Sequence, residues 1–217
     1  YLDRIDKFTF SSIANATDVG NLTVAREGLS GQSSSTHGYS SGAASPSPTN
    51  IIDKFTYSSD GNATDVGDMI ATNTNTTGQS SNTHGYISGG TGATMNHIEK
   101  FSFASDGNAT DTADLTVGVS SPAGQSSSTH GYASGGAPNT DTIGKFSFLS
   151  NANATDVGNL TVARHYVSGQ SSTTHGYSSG GNGAKNIIDK FTFASDADAT
   201  DVGDLTSGRH GTAGQQY

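Results

Sequence analysis

One phrase recurs four times almost unchanged along this chain. It reads Gly-Gln-Ser-Ser-Ser-Thr-His-Gly-Tyr-Ser-Ser-Gly over residues 31–42 and returns over residues 78–90, 124–136 and 169–181. A second phrase, Ile-Asp-Lys-Phe-Thr-Phe with small variations, starts at Ile5, Ile52, Ile98, Ile143 and Ile188, at intervals of 45 to 47 residues. Self-similarity at this period, sustained along the whole chain, marks an array of one supersecondary unit. Residues 1–217 therefore read as a single repeat domain.

The unit is built from strands. In the second copy Phe55 and Tyr57 share one face of a strand while Lys54 and Thr56 take the other. Asp60-Gly61-Asn62 supplies turn conformations, so the chain reverses as a hairpin and returns along Asp65-Val66-Gly67-Asp68-Met69-Ile70. Gly-Gln-Ser-Ser makes a third strand and Thr-His-Gly-Tyr-x-Ser a fourth, each closed by a variable connection, one of which carries Pro46 and Pro48. Gly and β-branched residues interrupt every window, and no apolar period of a helix survives for two turns.

Composition limits what this unit packs with. Leu, Ile, Val and Phe make up about a sixth of the chain, a level at which disorder must be weighed. The net charge of -9 is modest, however, and the apolar residues return at fixed phases, so we expect a folded chain with thin apolar layers. With ten Lys and Arg and no basic run, a nucleic-acid partner is not expected. No stretch approaches the roughly 20 apolar residues of a membrane-spanning helix, so membrane insertion is not expected either. Cysteine is absent, which removes disulfides and thiolate metal sites.

Four short strands per repeat without a helix is the content of a β-propeller blade. The order of a strand running into a Gly pair, a variable loop, a strand ending in aromatics, a turn, and a strand ending near Arg resembles the kelch repeat. His-Gly-Tyr-x-Ser-Gly-Gly stands where kelch has its apolar run and double glycine. The kelch Trp is absent, and Phe10, Tyr57, Phe103, Phe148 and Phe193 stand in its place. The resemblance implies an all-β, five-bladed propeller with the closing blade shared between the two termini. Five copies of the Phe-rich hairpin but only four complete His-Gly-Tyr strands leave that blade a strand short. A β-solenoid, with each period stacked along an axis, is the alternative.

The wording of the phrases also resembles repetitive proteins of marine bacteriophages and their virion appendages. That resemblance implies an extracellular or virion-surface location, and as partners other virion proteins or a host-surface glycan or protein. The function expected from it is a non-enzymatic structural or adhesion module. A propeller lectin with repeated equivalent pockets is the competing reading.

Candidate chemistry is repetitive rather than unique. His37, His84, His130 and His175 occupy near-identical contexts, and a residue repeated in every full copy is read as bonding its own blade's backbone. Asp18, Asp65, Asp111, Asp156 and Asp201 recur beside turns, as do Asp60, Asp106 and Asp196 in some copies. Their spacing lacks that of an EF-hand, so they read as turn residues, with Ca2+ as the cation alternative and no cofactor expected. Asn-x-Thr sequons at Asn15, Asn62, Asn108 and Asn153 read as turn chemistry, with Asp198 in the fifth copy. No catalytic constellation differs from its copies, and no enzyme is expected. The variable loops are the candidate contact surface, through Arg26, Asn73, Val119, Arg164, His165 and Tyr166.

Overall fold

The computed structural model describes residues 1–44 and 47–214. Pro46 of the first variable connection and residues 215–217 of the last Gly-Gln phrase lie outside the described residues. The chain opens with a hairpin of β1 (Arg4–Lys7) and β2 (Thr17–Asn21). The first sheet follows as β3 (Ser30–Ser33), β4 (His37–Ala43), β5 (Thr49–Thr56) and β6 (Thr64–Asp68). The second is β7 (Thr77–Ser80), β8 (His84–Ser88), β9 (His97–Ser102) and β10 (Thr110–Asp114), with a short 3-10 turn at Gly92–Thr94. The third is β11 (Ala123–Ser126), β12 (His130–Ser134), β13 (Thr142–Ser147) and β14 (Thr155–Asn159). The fourth is β15 (Ser168–Ser171), β16 (His175–Ser179), β17 (Ile187–Thr192) and β18 (Thr200–Asp204).

Each sheet is an antiparallel meander in which neighbours in sequence are neighbours in space. Its register is set by two residue types. Gly38 pairs with Phe55, Gly85 with Phe101, Gly131 with Phe146 and Gly176 with Phe191. In each pair the phenyl ring lies over the glycine, so closely that a Cβ on Gly131 would come within 2.3 Å of the Phe146 ring. The ring covers backbone that glycine leaves bare, and the glycine gives the ring its seat.

The cores lie between sheets. Tyr39 and Ile52 of the first sheet meet Ile87 and Phe101 of the second, with Met69 between them. Tyr86 and Ile98 meet Ala133 and Phe146, and Tyr132 and Ile143 meet Phe191. In every case the tyrosine stacks on the second aromatic of the next sheet: Tyr39 on Phe103 at 4.9 Å, Tyr86 on Phe148 at 4.7 Å and Tyr132 on Phe193 at 4.9 Å between ring centres. The packing is face-to-face sheet stacking by thin aromatic layers, as the composition requires.

The first strands of consecutive sheets run side by side. The Gln32 side chain donates to the Tyr86 carbonyl at 3.2 Å, Gln79 to Tyr132 at 3.0 Å and Gln125 to Tyr177 at 3.0 Å. The conserved wording of Gly-Gln-Ser is thus a buried link from one sheet to the next. The sheets are not joined into a closed ring among the described residues. Gly20, Gly67 and Gly158 each approach the turn of the following copy closely, whereas Gly203 in β18 faces open space.

Candidate functional site

Four of the six contact candidates are inside the molecule. Arg26, Asn73, Val119 and Arg164 are buried at the junctions between sheets. Arg26 meets Asp53 at 3.0 Å and Arg164 meets Asp189 at 2.9 Å, all four side chains fully enclosed. Thr23 and Thr161 donate to the same carboxylates through backbone N–H and hydroxyl, and the guanidinium groups also donate to the carbonyls of Ser40 and Ser178. Burial pushes the Arg26 guanidinium below its ordinary range, against the pull of Asp53 and Asp65.

The partners of these residues change with them. Where Arg is replaced by Asn73 the carboxylate is Glu99, and where it is replaced by Val119 the aligned position is Gly144. Val119 then packs in an apolar cluster with Leu115 and Ala133. Variation at this position is compensated burial rather than loop divergence.

Glu99 has no arginine. Its carboxylate accepts from the Ile70 N–H at 3.0 Å, and burial pushes its pKa above the ordinary value, with the Ile70 bond and His97 pulling down and Asp111 pushing up. The raised folded-state pKa means the native protein binds the proton more tightly than the unfolded chain. Stability from this group is therefore full below its ordinary value near 4.5 and is lost as pH rises through the raised value. Glu99→Gln should flatten that slope in urea-unfolding midpoints measured from about pH 4 to about pH 8, and an unchanged slope would rule Glu99 out as its source.

The remaining two candidates stand on a rim. Residues 28, 75, 121, 166 and 211 occupy one phase of the repeat, and Gly28, Asn75, Ser121, Tyr166 and Gly211 all adopt left-handed φ between 54° and 72°. Their backbones form a string: Asn75 N–H donates to Gly28, Ser121 to Asn75, Tyr166 to Ser121 and Gly211 to Tyr166, at 2.7 to 3.2 Å. A left-handed tyrosine is unfavourable on its own and persists here because neighbours on both sides hold its backbone. Tyr166 is 42% exposed, the large aromatic of the row. The half-buried His165 ring lies 4.9 Å from it and His210 5.9 Å, and His165 Nδ1 is 2.6 Å from the Asn139 carboxamide oxygen. The structure thus separates Arg164, a lock, from His165 and Tyr166, a surface. His210 and Asn139 were not singled out from the sequence, because they join the cluster from other repeats.

The other repeated polar residues are architectural. Each of the four phrase histidines bonds through Nδ1 to the hydroxyl of the preceding threonine, at 2.8 to 2.9 Å, rather than to backbone. Burial and Lys100 push His84 below its ordinary value, and burial and Lys145 do the same to His130 against Asp196. Asp18, Asp65, Asp156 and Asp201 accept from the backbone N–H two residues on, as turn residues do. Asp60, Asp106 and Asp196 instead take the ammonium groups of Lys7, Lys54 and Lys145 from the preceding copy. The sequon residues Asn62, Asn108 and Asn153 accept a backbone N–H of the preceding copy at 3.0 Å, and Asp198 does so at 2.9 Å. Among the described residues no group of three or more His, Asp or Glu side chains converges as a metal site.

A cavity of about 850 Å3 lies where the hairpin, the first sheet and the starts of β7, β11 and β15 face one another. Residues 212–214 line it beside residues 167–169, so five aligned segments of the repeat border one space. Asp6, Lys7, Phe8, Phe10, Phe55 and Tyr57 form one wall. No helix of the described residues is long and apolar enough to cross a membrane. Compared with protein-family models the sequence matches none, and a comparison with curated proteins finds no match either.

Proposed function

We propose that this chain is a non-enzymatic structural or adhesion module, a kelch-like five-bladed β-propeller carried at a virion surface. The observation that carries the functional part is that the repeated polar residues are absorbed into bonds within and between sheets. What differs from copy to copy at the surface is the rim, and Tyr166 with His165 and His210 is its most contact-like place. Partners of this class are other virion proteins or a host-surface glycan or protein.

Support for the ring comes from residue pairing across junctions. The set Thr23, Arg26 and Asp53 recurs as Thr161, Arg164 and Asp189, always with the carboxylate one copy downstream. Thr206 and Arg209 repeat the donor half in the last copy, and Asp6 repeats the acceptor half in the first. Both Asp6 and Arg209 are exposed, as the two halves of a junction should be before they meet. The five aligned segments around one cavity point the same way.

Imaging of single molecules by electron microscopy tests the arrangement: rings are expected, and rods would sink it. A glycan array tests the function. The structural reading expects no saturable binding at one equivalent site per sheet, and such binding would establish the lectin instead. Binding at a single site that Tyr166→Ala removes would identify the rim as an adhesion surface.

A further inference from the structure

The strand β1 is the fifth copy of an element that is otherwise covered on both sides. β5, β9, β13 and β17 each lie between a His-Gly-Tyr strand and a Thr-Asp-Val-Gly-type strand. Among the described residues β1 pairs with β2 alone. The covering strands all use one register: glycine faces phenylalanine, tyrosine faces lysine, and the residue two beyond tyrosine faces isoleucine, or Ile98, Ile143 and Ile188 in their copies. Carried to the hairpin, that register places glycine on Phe8, tyrosine on Lys7 and the later residue on Ile5. Phe8 is 47% exposed, whereas Phe101, Phe146 and Phe191 under their covering strands are 3 to 4% exposed.

A second observation is independent of strand pairing. The tyrosine of each of the first three covering strands stacks on the aromatic pair of the next sheet, Phe101 and Phe103, Phe146 and Phe148, or Phe191 and Phe193. The pair Phe55 and Tyr57 receives no tyrosine, and Tyr57 is 49% exposed. Both members of that pair line the same cavity as Phe8 and Lys7. The cavity therefore offers an open strand edge on one side and an unfilled aromatic seat on the other, in the relation that one His-Gly-Tyr strand satisfies elsewhere in the molecule.

We propose that this cavity is a strand-acceptor site, which takes an extended Thr-His-Gly-Tyr-x-Ser segment of a second polypeptide antiparallel to β1. The glycine lies against Phe8, and the tyrosine fills the seat on Phe55 and Tyr57. Backbone hydrogen bonds to the edge supply affinity, and the alternating glycine and tyrosine supply selectivity, as in other cases of strand addition. The donor is a second polypeptide because the four strands of this type within the chain are already paired in their own sheets. This inference goes beyond the functional reading above and stands on the cavity whether or not the sheets close into a ring.

The test adds a dye-labelled synthetic peptide with the sequence of residues 31–42 to the intact protein and follows anisotropy and amide hydrogen exchange. Saturable one-to-one binding with new protection over residues 4–8 is expected. A peptide carrying Gly38→Val, which cannot lie under a phenyl ring, and one carrying Tyr39→Ala should each bind at least about tenfold more weakly. On the protein side, Phe8→Ala and Tyr57→Ala should weaken binding while leaving thermal unfolding unchanged, since both side chains are half in solvent. Absence of saturable binding, equal binding of the Gly38→Val peptide, or protection confined to other strands such as β18 would each overturn the proposal.

Discussion

Asp189→Ala is expected to destabilise the protein by ~3–5 kcal/mol, because it leaves the Arg164 guanidinium buried without its counter-charge. Arg164 is fully enclosed, and the same change removes the acceptor of the Thr161 N–H and hydroxyl. A loss of this size is a large share of the roughly 5–15 kcal/mol that holds a domain folded. The molecule itself supplies the rescue. At the third junction the aligned residues are Val119 and Gly144, which pack without charge. Arg164→Val combined with Asp189→Gly should therefore recover much of what either change loses alone. Urea unfolding of both single variants and the double variant gives the coupling directly. A double variant no more stable than Asp189→Ala would show that the pairing across the junction is not what holds it.

Gly169→Ala carries the second large effect. A Cβ there would lie 2.1 Å from the carbonyl oxygen of Gly124, so β15 and β11 must move apart. Both strands are fixed by other links: Ser126 N–H donates to the Ser171 hydroxyl at 2.9 Å, and Gln125 reaches across to the fourth sheet. The expected cost is about 1–3 kcal/mol, the range for overfilling a packed contact that cannot relax. Gly31 is the matched control. It holds the same place in the same phrase, yet the nearest atom to a Cβ on it is 4.0 Å away. Gly31→Ala should be close to neutral, or slightly stabilising through the unfolded chain. Thermal unfolding that shifts both variants equally would remove close strand approach as the cause.

The strand content and the period were legible because they depend on neighbours in sequence. Alternation at Phe55 and Tyr57 and the Asp-Gly-Asn turn each specify structure within a few residues. The junctions were not legible in the same way, since each bond joins one copy to the next. Read column by column, Arg26, Asn73, Val119 and Arg164 look like a diverging exposed loop. Read diagonally, against Asp53, Glu99, Gly144 and Asp189, they are partners that change together. The signal was present in the sequence at a separation of some 25 residues, but only a known contact tells which columns to compare. The sequon asparagines and the phrase glutamine were opaque for the same reason. The Tyr166 cluster was legible in part, as adjacent His165 and Tyr166, while His210 and Asn139 reach it only through the stacking of sheets.

The left-handed string from Gly28 to Gly211 separates what is displayed from what displays it. Its main chain is held by amide-to-carbonyl bonds that do not involve the side chains, and glycine, asparagine, serine and tyrosine already share its geometry. Selection can therefore exchange one tip for another without disturbing the scaffold, provided the newcomer is not β-branched. A row of this kind is a surface on which recognition can drift quickly while the fold beneath it stays the same.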